Sequence, residues 1–378
     1  MTWIAWKMLI GNRAKYLGIV FGITFASLLI AQQASIFCGL LLRTVSQIED
    51  IKGANIWVMD PNVQFIDDIK PMSENDLYRV RGVPGVDWAV RLYKGLARAR
   101  LDDGNFQQMI LLGLDDDTLV GAPQEMILGT WDDLRKPDAL IMDDAGYQQL
   151  WPNQPYQLGR TFEMNDFRGV LVGICKASRT FQTFPIIYTR YSQAIQYTPN
   201  ERKTLTFILA QPKPGVPVDE VCKNINQQTG LQALSRQGFM WKTISYYLER
   251  TGIPINFGIT VLLGFIVGTA IAGQTFYLFT VENLKQFAAL KAMGTSNWRI
   301  TNMVLLQGMQ VGIIGYCLGL GGAAAFGYFS QFNPKLAFYM PWQVLVISAL
   351  AVLLIVVLAS LLCVVKVLRV EPAIVFKG

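Results

Sequence analysis

Four stretches of the chain contain no Asp, Glu, Lys or Arg: 16–42, 251–281, 300–334 and 336–365. A hydrocarbon core of ~30 Å takes ~20 helical residues, so each stretch predicts a membrane-spanning helix. Between the first and the second lies 43–250, where short apolar runs alternate with turn residues. That segment predicts one mixed domain outside the bilayer. The expected fold class is an α-helical membrane protein with four transmembrane helices, one before and three after a large α+β extracytoplasmic domain. The predicted boundaries are 1–15 for an amphipathic N-terminal helix, 16–43 for the first span and the start of a stalk, and 44–253 for the domain. Then follow 254–281 for the second span, 282–299 for an elbow, 300–330 for the third span, 331–341 for a short external loop, 342–365 for the fourth span and 366–378 for a tail.

Within the large domain, residues 55–59 (NIWVM) predict a strand. Ser73 and Asp76 stand at capping-box spacing before a short helix, which the Gly82-Val-Pro-Gly85 turn ends. Asp102-Asp-Gly-Asn105 predicts a hairpin between 86–100 and 106–114. Asn165-Asp166 predicts a second between 161–164 and 169–175. Further strands are expected at 139–142, 185–188 and 205–210, and helices at 144–150, 192–197 and 218–228. The segment 239–249 (FMWKTISYYLE) predicts a second stalk leading back to the bilayer. Trp3, Trp6, Leu9 and Ile10 among a few cations suit a helix lying in the headgroup region. Ala31-Gln-Gln-Ala34 has a faint likeness to a signal-cleavage site. The apolar stretch around it is longer than a signal peptide uses, so an uncleaved anchor is expected.

The elbow, VENLKQFAALKAMGTSNWR, predicts a short helix with Leu284, Phe287, Ala288 and Lys291 on one side and Glu282, Lys285 and Gln286 on the other. Gly294 suits a left-handed cap, Lys291 lies where the helix dipole favours a cation, and Ser296 can cap the next helix. An ordinary connector and a surface receiving force from a cytosolic partner are both open on these residues. In the third apolar stretch, Gly308/Gly312 and Gly315/Gly319 have the spacing that lets helix backbones approach closely. Packing within one subunit and a dimer seam are both open.

Charge sets the orientation. Lys7, Arg13, Lys15, Lys285, Lys291, Arg299, Lys366, Arg369 and Lys377 flank the spans on one side against only Glu282 and Glu371. Both termini and the elbow are expected in the cytoplasm, with the domain outside. Once these cations and Lys335 are set apart from the 33 basic residues, and the two acids from the 27 acidic ones, the domain is nearly neutral. The net +6 is then a topogenic charge and no nucleic-acid partner is expected.

Candidate chemistry is sparse. The chain has no histidine, which excludes Ser-His-Asp catalysis, His metal ligation and a histidine pH switch. It has no C-x-x-C pair and no G-x-x-x-x-G-K-[ST] phosphate loop. Of five cysteines, Cys175 and Cys222 face an oxidising space, and a bridge between them is open. The doublets Asp67-Asp68, Asp132-Asp133 and Asp143-Asp144 and the triplet Asp115-Asp116-Asp117 lack calcium-loop alternation and read as solvated turns. Spans without an ionisable residue argue against an ion or proton relay. No catalytic residue, metal or cofactor is expected in the chain, and an external energy source is implied.

One membrane helix, a large outer domain and three further helices resemble the FtsX/MacB-type permeases of ABC transporters. Glu282-Asn-Leu-Lys-Gln-Phe-Ala-Ala-Leu-Lys-Ala-Met-Gly294 is similar to their cytoplasmic coupling segment. Its A-x-L-K-A-x-G core stands at Ala288 to Gly294. The Gly-rich third helix and Arg369-Val-Glu-Pro-Ala373 also fit, and the elbow wording with the C-terminal EPAIVFKG is most similar to the DevC-type branch. Many members carry an acid just before the core, where this chain has Gln286-Phe287. The resemblance implies a bacterial inner-membrane permease without a fused ATPase domain. It implies a separate ABC ATPase subunit binding ATP and Mg, a second copy of the chain, membrane lipid, and a periplasmic adaptor with an outer-membrane channel.

Under that resemblance, Glu282, Lys285, Phe287, Leu290, Lys291, Met293 and Gly294 become ATPase-coupling residues. Phe287, Leu290 and Met293 form an apolar plug for a groove in the ATPase. The function implied is outward movement of an amphiphilic substrate by mechanotransmission. An FtsX-like transducer regulating a cell-wall hydrolase, a lipoprotein-releasing permease and a kinase-linked receptor remain alternatives.

Overall fold

A computed structural model describes residues 2–101, 104–198, 204–333 and 336–369. In chain order, α1 (Thr2–Gly11) and α2 (Arg13–Asp50) lead to β1 (Ile56–Met59), α3 (Glu74–Arg81), β2 (Val86–Arg100), β3 (Phe106–Leu114) and β4 (Glu125–Leu128). A single 3-10 turn, Trp131–Arg135, precedes β5 (Ala139–Asp143), α4 (Asp144–Leu150), β6 (Thr161–Met164) and β7 (Phe167–Lys176). Next come β8 (Ile186–Arg190), α5 (Tyr191–Ala194), β9 (Phe207–Pro212), α6 (Val218–Thr229), β10 (Gln232–Ser235) and α7 (Arg236–Arg250). The chain closes with α8 (Ile253–Glu282), α9 (Leu284–Ala292), α10 (Asn297–Ser330) and α11 (Trp342–Leu368). Contacts divide it into two compact units, Met1–Leu40 with Gly252–Gly378, and Leu41–Thr251.

In the first unit, α2, α8, α10 and α11 are each long and apolar enough to cross a membrane. Lipid tails are as apolar as leucine, so close packing must hold such helices together. The α10 glycines provide it. A Cβ on Gly312 would come within 2.7 Å of Val356 on α11, and one on Gly315 within 2.7 Å of Ile23 on α2. At Gly319 it would meet Ser27 and the Thr24 carbonyl, both at 2.6 Å. Gly308 faces Val356 and Ser360 in the same way. These four glycines are therefore taken up inside one subunit, and the dimer-seam reading of them is corrected. α1 buries Ala5 and Leu9 in the same core and leaves Trp3 and Trp6 exposed.

The second unit is a ten-stranded sheet in the order β10-β1-β9-β2-β3-β8-β5-β7-β4, with β6 pairing both β2 and β7. The β3–β8 and β5–β7 pairs are parallel and the remainder antiparallel. The 15-residue β2 is the hinge of this sheet: its first half pairs with β9 and its second with β3. One face packs under α3, α4, α5 and α6 through Leu77, Tyr147, Ala194 and Ile225. The opposite face holds Ile48 and Ile51 from the end of α2, Leu134 and Phe239 of α7.

Local chemistry accounts for most turns. Ser73 and Asp76 form the reciprocal capping box that starts α3. Asn165 and Asp166 both take positive φ, 49° and 65°, the two-residue turn that right-twisted strands require. In the first hairpin Leu101 N donates to the Asn105 carbonyl at 2.9 Å and Gly104 has φ 81°. Asp102 and Asp103 lie outside the described residues. Strands β4 and β10 carry too little alternation to be read from sequence. β7 starts two residues before the expected 169, and α5 stops three before the expected 197.

Cys175 and Cys222 are both free and buried, which corrects the open reading of a bridge. The reason is placement: Cys175 packs on the α7 face of the sheet, while Cys222 packs under α6 on the other.

Two predictions follow from packing. Gly319→Val should lower the thermal midpoint in detergent by the equivalent of about 1–3 kcal/mol. Gly321→Val, at a position where an added Cβ meets nothing within 4 Å, should not. Asp143 N-caps α4, accepting from Gly146 N at 3.1 Å and Ile186 N at 2.7 Å. Burial pushes its carboxyl up to about 7. A carboxyl whose folded-state pKa is raised binds more protons folded than unfolded, so its stabilisation is full below pH ~4 and fades as pH rises to ~7. Asp143→Asn should remove that slope from thermal melts across pH 4–7. It should also cost about 1–3 kcal/mol, because one buried N–H then faces an amide donor.

Candidate coupling surface

The elbow is built by three chain turns at one end of the four-helix unit. α8 stops at Glu282, where the Asn283 side chain caps the Phe279 carbonyl at 2.8 Å. α9 then runs only nine residues. At its end Gly294 takes φ 85°, Thr295 N donates to the Leu290 carbonyl at 3.1 Å, and Gly294 N to that of Lys291 at 2.9 Å. These two bonds are the Schellman pattern, which satisfies the helix's last carbonyls and turns the chain sharply. Ser296 occupies the cap of α10 with extended backbone, but its hydroxyl makes no capping bond.

Three ties pin this elbow to other helix ends, and a fourth links α10 to α1. Glu282 pairs with Lys15 at the start of α2, and the Asn12 amide donates to the same carboxylate at 3.3 Å. Lys291 Nζ donates to the Leu368 carbonyl at the end of α11 at 2.9 Å, the end where a helix dipole favours a cation. Gln307 Nε2 on α10 donates to the Ala5 carbonyl of α1 at 3.0 Å. Three of these ties join residues about 270 to 300 positions apart, a distance no sequence pattern signals.

The inner side of α9 differs from the expected plug. Phe287 is fully buried, and Ala288 and Leu290 are buried beside it. Phe287 and Leu290 pack in one core with Ile300, Met303, Val304 and Val367. Burial removes these two from any surface a partner could grip, and the three-residue plug is corrected accordingly. They anchor the elbow instead. Met293 is 74% exposed, and Trp298, at the start of α10, is 72% exposed. Lys285, Gln286, Ala292, Gly294 and Arg299 are also exposed. The outer surface is thus a small apolar lip, Met293 and Trp298, with cations on either side. Trp298 was visible in the sequence, yet nothing there separated it from a buried first-turn residue.

Elsewhere the described residues hold no cluster of three metal-ligating side chains. Of the acidic doublets, Asp68 accepts from Gln64 N at 2.9 Å, Asp115 from Thr118 at 3.0 Å, and Asp133 from Thr130 N at 2.8 Å, but Asp115 and Asp143 are buried, which corrects the reading of all of them as solvated turns. Asp133 is held down at about 2, first by its bond from Lys136. The buried charge of the sheet, Lys94, pairs with Asp67 and donates to the Ile66 carbonyl at 3.1 Å. Burial lowers its pKa while Asp67 opposes the shift. It pins the segment after β1 to the sheet, as Lys242 of α7 does through the Val63 carbonyl.

Four spanning helices and an α+β domain between the first and second define a polytopic membrane protein with an extracellular domain. The chain belongs to the FtsX/MacB family of ABC-type permeases: residues 257–372 match the FtsX-like permease C-terminal family, and residues 16–228 the MacB-like periplasmic core domain. Among curated proteins it is 24% identical over 160 residues to the hemin transport system permease protein HrtB of Staphylococcus haemolyticus. That match covers 41% of this chain and 44% of the relative, so the chain spans less than half of the relative's length. Solved structures similar to it include the extracellular domain of the noncanonic ABC-type transporter YknZ from Gram-positive bacteria, at 15% identity and TM-score 0.35, covering 48% of this chain and 98% of that one. The periplasmic region of MacB from Actinobacillus actinomycetemcomitans is similar at 13% identity and TM-score 0.37, covering 54% and 98%.

Truncation separates the two sides of the elbow. Phe287→Ala should destabilise the detergent-solubilised protein by about 3–5 kcal/mol, as buried Phe truncations do. Met293→Ala should leave the melting curve within about 0.5 kcal/mol of wild type.

Proposed function

We propose that this chain is the permease subunit of an ABC-type exporter, driven by a separate cytoplasmic ATPase that binds ATP and Mg and grips the elbow. The chain itself is non-catalytic. The observation that carries this reading is the elbow's two-sidedness: Phe287 and Leu290 key α9 into the membrane core, while Met293 and Trp298 stand out as an apolar lip. A load on that lip is delivered to α8, α10 and, through Glu282–Lys15 and Lys291–Leu368, to α2 and α11. Such a piece moves its helices rather than bending alone.

The spans support mechanotransmission over a polar channel, because the stretches 16–42, 251–281, 300–334 and 336–365 contain no charged residue. The excess of cations around the elbow favours a cytoplasmic elbow and cytoplasmic termini. In this reading two copies work as a pair in the inner membrane of a bacterium. Their extracellular domains take an amphiphilic substrate from the periplasm or outer leaflet and pass it to a periplasmic adaptor and outer-membrane channel. The relative named for hemin transport fits this class, since hemin is itself a flat amphiphile.

Co-purification tests the coupling. Trp298→Asp and Met293→Asp place a charge on the lip without touching the core. Each should reduce ATPase recovery on the tagged permease at least tenfold and abolish substrate-dependent ATP turnover, with membrane insertion and melting temperature unchanged. Full ATPase recovery with both variants would remove the elbow from the mechanism.

A further inference from the structure

The loop 177–185 between β7 and β8 ties the two stalks of the extracellular unit together. At its start Ser178 donates from N and from Oγ to the Asp50 carboxylate of α2, both at 2.8 Å. Farther on, the Phe181 ring lies 5.2 Å from that of Tyr247 on α7. Between these two moorings stand Arg179 and Thr180. On α2, Gln47 and Arg43 precede Asp50 by three and seven positions, so all three share one helix face. Arg179 is close enough to Arg43 for their charges to repel. The whole patch belongs to one compact unit, Leu41–Thr251.

Two buried groups of this patch lack a partner among the described residues. Gln47 is 6% exposed and Thr180 7%, yet neither Gln47 Nε2 nor Thr180 Oγ1 is hydrogen-bonded. Native interiors seldom leave such groups unmet. Two guanidinium groups, an amide N–H and a hydroxyl have one need in common, an acceptor that carries negative charge. The carboxylate on this helix face, Asp50, is already occupied by Ser178. Position in the bilayer indicates what supplies the acceptor. α2 is one unbroken helix, Arg13–Asp50. From Lys15 to Arg43 it rises ~42 Å at 1.5 Å per residue, the thickness of a bilayer with its headgroups. Arg43 therefore stands at the level of the outer lipid phosphates.

We infer that Arg43, Gln47, Arg179 and Thr180 form an oxyanion site that holds the phosphate of an outer-leaflet phospholipid. Arginine suits the task because its planar fork donates to two phosphate oxygens at once. The phosphate cancels the repulsion between the two cations and gives the amide and the hydroxyl their acceptor. It thereby moors the loop, and the two stalks it joins, to the membrane surface. The inference rests on the span assigned to α2 and not on the coupling proposed for the elbow.

Native mass spectrometry of the full-length chain in detergent, titrated with phosphatidylglycerol, diacylglycerol or sodium phosphate, tests the site. Phosphatidylglycerol should bind the wild type at least about tenfold more tightly than diacylglycerol, which lacks the phosphate. Arg179→Gln should weaken that binding by about 10- to 100-fold and Thr180→Val by about 3- to 10-fold, the ranges of a charged and a neutral hydrogen bond. Lys223→Gln, at an exposed cation of α6, should stay within about twofold of wild type. Lipid-free melting separates binding from folding. Arg179→Gln and Thr180→Val should melt no lower than wild type, because each removes a repelled or an unpartnered group. A lower lipid-free midpoint in both variants would assign the two side chains to holding the fold and overturn the site. Unchanged phosphatidylglycerol binding in both would overturn it equally. Displacement of the lipid by equimolar sodium phosphate would support the oxyanion site and overturn the lipid as its occupant.

Discussion

The bilayer withholds from helices the force that usually packs them, and the membrane unit is shaped by that shortage. Apolar surface gains nothing by moving from lipid to protein, so cohesion must come from fit. α10 meets the need with glycines on two flanks, Gly308 and Gly312 against α11, Gly315 and Gly319 against α2. It thereby draws α2 and α11 together, while α8 packs on α11. Ion pairs and amide bonds gather at the elbow end, through Glu282, Lys15, Lys291 and Gln307, while farther along Ser27 and Tyr316 add single bonds from α2 to α10 and from α10 to α11.

That division of labour makes the elbow stiff in one direction and open in the other. The Schellman turn at Gly294 closes α9 and starts α10 within a few residues. Phe287 locks the short helix inward, while Met293 and Trp298 remain outside. A helix of nine residues has little stability of its own, so its order derives from the core it keys into. In the proposed function, force on the lip would pass through the same side chains that hold the bundle together.

The extracellular unit solves a different problem, that of a large sheet covered on two faces. Long β2 joins its two halves, and helices on one face are balanced by the end of α2 and by α7 on the other. Buried polar groups are spent on connection. Asp143 ties β5 and α4 to the start of β8. Lys94 and Lys242 fasten the segment after β1 to the sheet and to α7. The acidic doublets serve as turn and cap residues, and Asp67, Asp116 and Asp143 also hold partners far along the chain.

The spans, the extramembrane domain, the capping box at Ser73 and the turn at Asn165-Asp166 were legible in the chain because their causes are local. Hydrocarbon thickness sets a run length, and twist sets a turn type. The elbow's existence and its Gly294 cap were legible for the same reason. Which side of it faces inward was not, since Phe287 and Met293 are equally apolar and lie six residues apart. Likewise Gly308 to Gly319 announced a close approach without naming what approaches, and Cys175 and Cys222 looked equally able to meet or not. Each of those choices depends on which helix or sheet face arrives from a distant part of the chain. Only the folded arrangement, where α2 and α11 occupy the glycine flanks and the sheet separates the two thiols, decides them.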